Sequence, residues 1–162
     1  MRILFFIILL TSSLFSAGMS QDALREFVAF AATKARFLGK TMTLNQIDRG
    51  IYPFRNDNAA IFAMDNNGTI LAHALQPGLK GNNMLPTRDA WGESFFQVLL
   101  EKARTDVEGT VTYHIAIPDS DEILPKLIYF ERVDEDYFIG SAVQITDENS
   151  SSTLPLPQPS FF

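Results

Sequence analysis

Asn58-Ala59-Ala60-Ile61-Phe62-Ala63-Met64-Asp65-Asn66-Asn67-Gly68-Thr69-Ile70-Leu71-Ala72-His73 reads as two short apolar strands joined by a tight turn. Asn67-Gly68 is the strongest short-range hairpin signal, because a type I′ turn needs positive φ at both central residues, which Asn tolerates and Gly adopts freely. Ile61, Phe62 and Met64 then face Ile70 and Leu71 across an antiparallel pair. A calcium loop of the EF-hand kind does not fit, since its glycine stands five residues after the first Asp and here Gly68 stands three after Asp65.

Upstream of the hairpin, Ser20 is an N-cap, Asp22 lies in the first turn and Gly39 is the stop of a long helix. Leu24, Phe27, Val28, Ala31, Ala35 and Leu38 recur at three- and four-residue spacing and form one apolar stripe. A further helical turn is expected over Leu44 to Arg49. Pro53 keeps the lead-in to the hairpin out of helix and central strand.

Downstream, Gln76 to Pro86 is a long loop, and loops of that length in a compact domain are often functional. A second helix is expected over 93–105, with Phe95, Phe96, Leu99, Leu100 and Ala103 inward. Thr110 to Ile117 alternates at period two, with Val111, Tyr113, Ile115 and Ile117 on one face and His114 on the other. Two more strands are expected over 126–133 and 137–145, and the segment 147–162 is a Ser- and Pro-rich tail. The expected fold class is α+β: a five-stranded antiparallel sheet with the long N-terminal helix on one face and a loop-helix segment over the other. That arrangement predicts a roofed hollow on the second face, where ligands commonly sit.

Composition narrows the function. With 162 residues, 46% of them apolar, the chain is sized for one domain, expected over 20–146. A net charge of −6 disfavours nucleic acid and anionic lipid, and the lack of cysteine removes disulfides, thiolate metal sites and thiol nucleophiles. Residues 1–18 read as a signal peptide: Arg2, the apolar run Ile3 to Leu10, then Ser16-Ala17-Gly18. The run is short of the roughly twenty residues of a membrane span. The expected location is periplasmic or secreted, with no stable membrane span after signal cleavage.

Several segments in order carry a resemblance: Gly50 to Phe54, Asn58 to His73, Gly81-Asn82-Asn83, Asp89 with Gly92, Gly109-Thr110-Val111 with Tyr113, Pro125-Lys126 with Tyr129, and Ile139-Gly140-Ser141. Over Ala23 to Gln144 the chain resembles the single Cache domain, in its stand-alone secreted form. The resemblance implies a PAS-like extracytoplasmic sensor that binds a small metabolite such as an organic acid, without catalysis or cofactor. It also implies a membrane-bound signalling protein as partner. The family often carries Trp two residues after the Tyr and Asp before the glycine, where this chain has Ile115 and Trp91.

Seven residues are the expected ligand contacts. Arg55 and Lys126 are cations suited to a carboxylate, the alternative for each being a solvated surface charge. Tyr113 and Tyr129 combine an aromatic body with a polar tip, as ordinary half-buried sheet tyrosines also do. Asp89 is either an acceptor for a ligand or the cap of a turn. His73 closes the second strand and Trp91 lies in the loop expected to roof the hollow. No metal site is expected, because the two histidines offer no paired ligand spacing. No hydrolase elbow, phosphate loop or Ser-x-x-Lys pair is present.

Overall fold

The structure, a computed structural model, describes residues 19–145. The expected signal peptide, and the tail from 147 on, lie outside the described residues. Helix α1 spans Gln21–Leu38, with the Ser20 hydroxyl accepting from the Ala23 N–H as its cap. Its stripe of Leu24, Val28, Ala31, Ala32 and Ala35 is fully buried. Each large side chain among them contributes about 1.5–3 kcal/mol by leaving water. Gly39, at φ 75°, breaks the chain direction and starts α2, Lys40–Asp48. This helix is longer than the turn expected from sequence; it begins without a side-chain cap and buries only Thr43 and Ile47, so its sequence signals are weak.

The strands are β1 (Phe62–Asp65), β2 (Ile70–His73), β3 (Glu108–Ala116), β4 (Ile123–Arg132) and β5 (Tyr137–Gln144), and α3 covers Phe95–Thr105. They form one antiparallel sheet in the order β2-β1-β5-β4-β3. On the first face, α1 and α2 pack over Ile61, Ala63, Leu127, Tyr129, Tyr137 and Ile139. Buried Glu131 pairs with Arg36 at 2.8 Å and ties α1 to β4. On the second face, α3 packs over Phe62, Met64, Val111, Ile128, Phe130 and Phe138. The expected α+β class and its two-sided packing are both present.

The hairpin forms where expected, but its turn is different. Asn67 does not take positive φ; only Gly68 does, at 82°. Asp65 Oδ1 accepts the N–H groups of Asn67 and Thr69, both at 2.9 Å, while the Gly68 N–H donates to the Asp65 carbonyl. The result is a three-residue loop in which a left-handed glycine follows an ordinary turn. The Asp65 carboxylate supplies what a type I′ turn would have supplied. Residues 81–84 then run beside β2, with Gly81, Ile70, Asn82, Met84 and Gly68 joined by backbone hydrogen bonds, so this sheet edge is covered.

Candidate functional site

Alternation along β4 puts Leu127 and Tyr129 on the first face and Lys126, Ile128 and Phe130 on the second. Register then fixes the neighbours of Lys126. It stands directly opposite Tyr113 on β3 and Gln144 on β5. The Tyr113 ring lies flat on Phe95 at the start of α3, with centroids 4.4 Å apart and planes at 9°. Burial pushes the Tyr113 hydroxyl far above its ordinary pKa and pulls that of Lys126 down. Lys126 is only 7% exposed, yet it makes no hydrogen bond or ion pair with any described residue. The stem of Lys126 is buried while its ammonium keeps some contact with solvent, and an anion brought to a partly desolvated cation without a counter-charge would offset the desolvation.

The rest of the second face is filled. Phe62 meets Phe138 edge-on at 6.4 Å and Phe138 meets Phe130 at 5.8 Å, beneath α3. Phe62 lies so close over Gly140 that a Cβ there would come within 2.7 Å of its Cζ. The roofed hollow expected across this face is therefore occupied in its middle by phenylalanines. Two open depressions lie elsewhere. One of about 540 Å³ is at the α1–α2 junction beside Met42, and one of about 250 Å³ lies between α1 and β3–β4 beside Arg25 and Glu108.

The other expected contacts are dispersed. His73 is on the second face, stacked on Phe62 at 6.3 Å, but four residues along the register from the Lys126 level. Its Nδ1 accepts the N–H groups of Leu75 and Gln76, and burial lowers its pKa to about 4, so the ring is a neutral staple for the end of β2. Asp89 is a staple as well. Its Oδ1 accepts from the Trp91 and Glu93 N–H groups and its Oδ2 from that of His114. Burial pushes the Asp89 pKa up, but the N–H groups of Glu93, His114 and Trp91 outweigh it and hold the carboxyl below its ordinary value.

Three placements correct the sequence reading. Trp91 does not roof the second face: it lies against His114 at the outer edge of β3, rings 3.3 Å apart, and is 62% exposed. Tyr129 faces α1, where its hydroxyl bonds Glu108 next to Arg25; burial first and the Glu108 contact second raise its pKa to about 12. Arg55 is exposed, its side chain folded over Gly50 at the end of α2. The structure thus brings together Tyr113 and Lys126 from the expected set and adds Gln144 and Phe95. Gln144 was legible, since it lies an even number of residues from Ala142 and so shares its face.

A family model described as a Cache domain matches residues 33–149 of the chain. The chain belongs to the Cache family. Its Cache fold resembles a methyl-accepting chemotaxis protein from Vibrio parahaemolyticus RIMD 2210633 at TM-score 0.62 and 21% identity, covering 78% of this chain and 88% of that one. It also resembles a periplasmic sensor domain of a chemotaxis protein at TM-score 0.54 and 19% identity, covering 77% and 90%. A third similar structure is a Cache chemosensory domain solved for the basis of its carboxylic acid recognition, at TM-score 0.52 and 17% identity, covering 77% and 88%. No curated protein matches. Within this Cache domain, no helix among the described residues is long and apolar enough to cross a membrane.

Proposed function

We propose that this Cache domain is a non-catalytic extracytoplasmic sensor that takes a small carboxylate at the Lys126 end of the second face. The observation that carries the reading is Lys126 itself, its stem buried and its ammonium without a partner among the described residues, between Tyr113 and Gln144 in the sheet register. A carboxylate there would gain a charge-assisted hydrogen bond from the ammonium, and Tyr113 and Gln144, the cross-strand neighbours of Lys126, carry a hydroxyl and an amide suited to complete its shell. The carboxylic acid recognised by one similar Cache chemosensory domain supports the same ligand class. A thermal-shift panel of mono- and dicarboxylic acids and amino acids tests this: at a hundred times its dissociation constant the right acid adds about 2.7 kcal/mol of stability. No shift with any acid in the panel contradicts it.

A second reading, an accessory protein docking onto a membrane-bound partner, is favoured by one observation. The phenylalanines on the middle of the second face leave that region closed to a ligand. A pull-down from an envelope extract that keeps its partner when Lys126 is replaced by Met would favour this reading.

A further inference from the structure

Helix α1 packs over β4 and β5, so the first face of β3 is left open beyond the Arg25–Glu108 pair. Val111 and Tyr113 face α3; by alternation Thr110, Thr112 and His114 turn to the open face, and both threonines are exposed. Trp91 closes this strip at one end. Its backbone N–H is held by Asp89 Oδ1 and its ring lies within 18° of parallel to that of His114, so one ring face is fixed against the protein and the other meets water. The indole N–H has no hydrogen-bond partner among the described residues. An open ring face beside a free indole donor is the platform on which proline-rich segments dock: their rings lie flat on the aromatic, and their carbonyls, which make no internal hydrogen bonds, accept from the indole.

The chain carries such a segment, and the register delivers it to this end of the sheet. The Ile145 N–H donates to the Pro125 carbonyl, Pro125 stands opposite His114, and His114 carries Trp91. The last described residue therefore lies two strand spacings, roughly 10 Å, from the strand beneath the platform. Residues 146–153 follow, with an extended reach of roughly 26 Å, and then comes Leu154-Pro155-Leu156-Pro157-Gln158-Pro159. Alternate prolines pre-set φ for polyproline II, which lowers the entropy cost of docking. Residues 149–162 carry no charged side chain, so the exposed carboxylates of Asp119, Asp121 and Glu122 in the neighbouring β3–β4 turn do not repel them. We propose that the segment 154–159 docks on Trp91 and the open strip of β3 in the same molecule, on the side of the sheet away from Lys126. Six residues of polyproline II span about 19 Å, enough to run from Trp91 over Thr112 to Thr110.

Trp91 is the only tryptophan in the chain, so its emission reads the platform directly. The test compares the full chain with the full chain carrying Pro155→Ser, Pro157→Ser and Pro159→Ser, all outside the described residues. The expected result is bluer emission and weaker acrylamide quenching in the parent at every protein concentration, and loss of both in the variant. A synthetic peptide of residues 150–162 added to the variant should restore them. For a segment docked roughly nine-tenths of the time at an effective concentration of about 1 mM, half of the restoration falls at about 0.1 mM peptide. Equal emission and quenching in the two proteins would overturn the proposal. So would a peptide without effect at about 1 mM, or protection in the parent that vanishes on dilution, which would put the segment on a second copy.

Discussion

Asp89 and His114 are joined across the free edge of the sheet: the His114 N–H donates to Asp89 Oδ2 at 3.0 Å, and the same oxygen lies 3.3 Å from the ring Nδ1. With Oδ1 capping Trp91 and Glu93, and the Ala90 N–H bonded to the His114 carbonyl, one carboxylate fixes the strap that leads into α3. Its side chain is 1% exposed. Asp89→Ala strands several backbone donors and should cost about 3 kcal/mol, while Asp89→Asn, which keeps an acceptor, should cost less. Urea unfolding of the variants measures both, and an Ala variant as stable as the parent would contradict this role.

Two glycines should resist alanine for different reasons. At Gly68 the backbone is left-handed and a Cβ would stand 2.7 Å from Leu85 Cγ; at Gly140 the φ is ordinary but Phe62 Cζ stands 2.7 Å away and the Tyr129 carbonyl 3.0 Å. Left-handed strain of about 1–2 kcal/mol adds to the overlap at Gly68, and overpacking alone costs about 1–3 kcal/mol at Gly140. Pairing Gly140→Ala with Phe62→Leu should recover part of the loss in thermal melts, whereas the same second change should do nothing for Gly68→Ala.

His73 makes stability depend on pH in a defined direction. Its folded pKa, about 4, lies below the ordinary 6.5 because the ring is buried. Between those values the unfolded chain binds the extra proton, so stability is full above the upper one and is lost as pH falls toward the lower. The slope reaches at most about 1.4 kcal/mol per pH unit. Asp89, whose carboxyl is held below its ordinary value, loses its contribution only in the more acidic range beneath. His73→Asn, which keeps an acceptor near Nδ1, should flatten the dependence through this window. Melting curves from pH 7 to 4 with equal slopes in both proteins would contradict it.

Much of the fold was legible because its signals are local. The α1 stripe, the Asn67-Gly68 hairpin and the β3 alternation each require only a short window of sequence. The hairpin turn was misjudged because the Asp65 side chain competes with the dipeptide preference, and α2 because its burial pattern is too sparse to announce a helix. The site was legible in part. Tyr113 and Lys126 meet, but Tyr129 lies three residues from Lys126 on the same strand, and an odd separation sends it to the other face. Trp91 and the filling of the second face depend on how the strap and α3 settle on the sheet, which no local pattern encodes.

Lys126 pits stability against binding. Met has a similar length and no charge to desolvate, so Lys126→Met should raise the melting temperature of the ligand-free protein, by about 1–2 kcal/mol in stability. Titration calorimetry of the best carboxylic acid against the parent and Lys126→Met proteins is the decisive measurement. Saturable heat is expected with the parent, weakening as pH rises past the lowered lysine pKa, and none with the more stable variant. Equal affinity in the two proteins would contradict it.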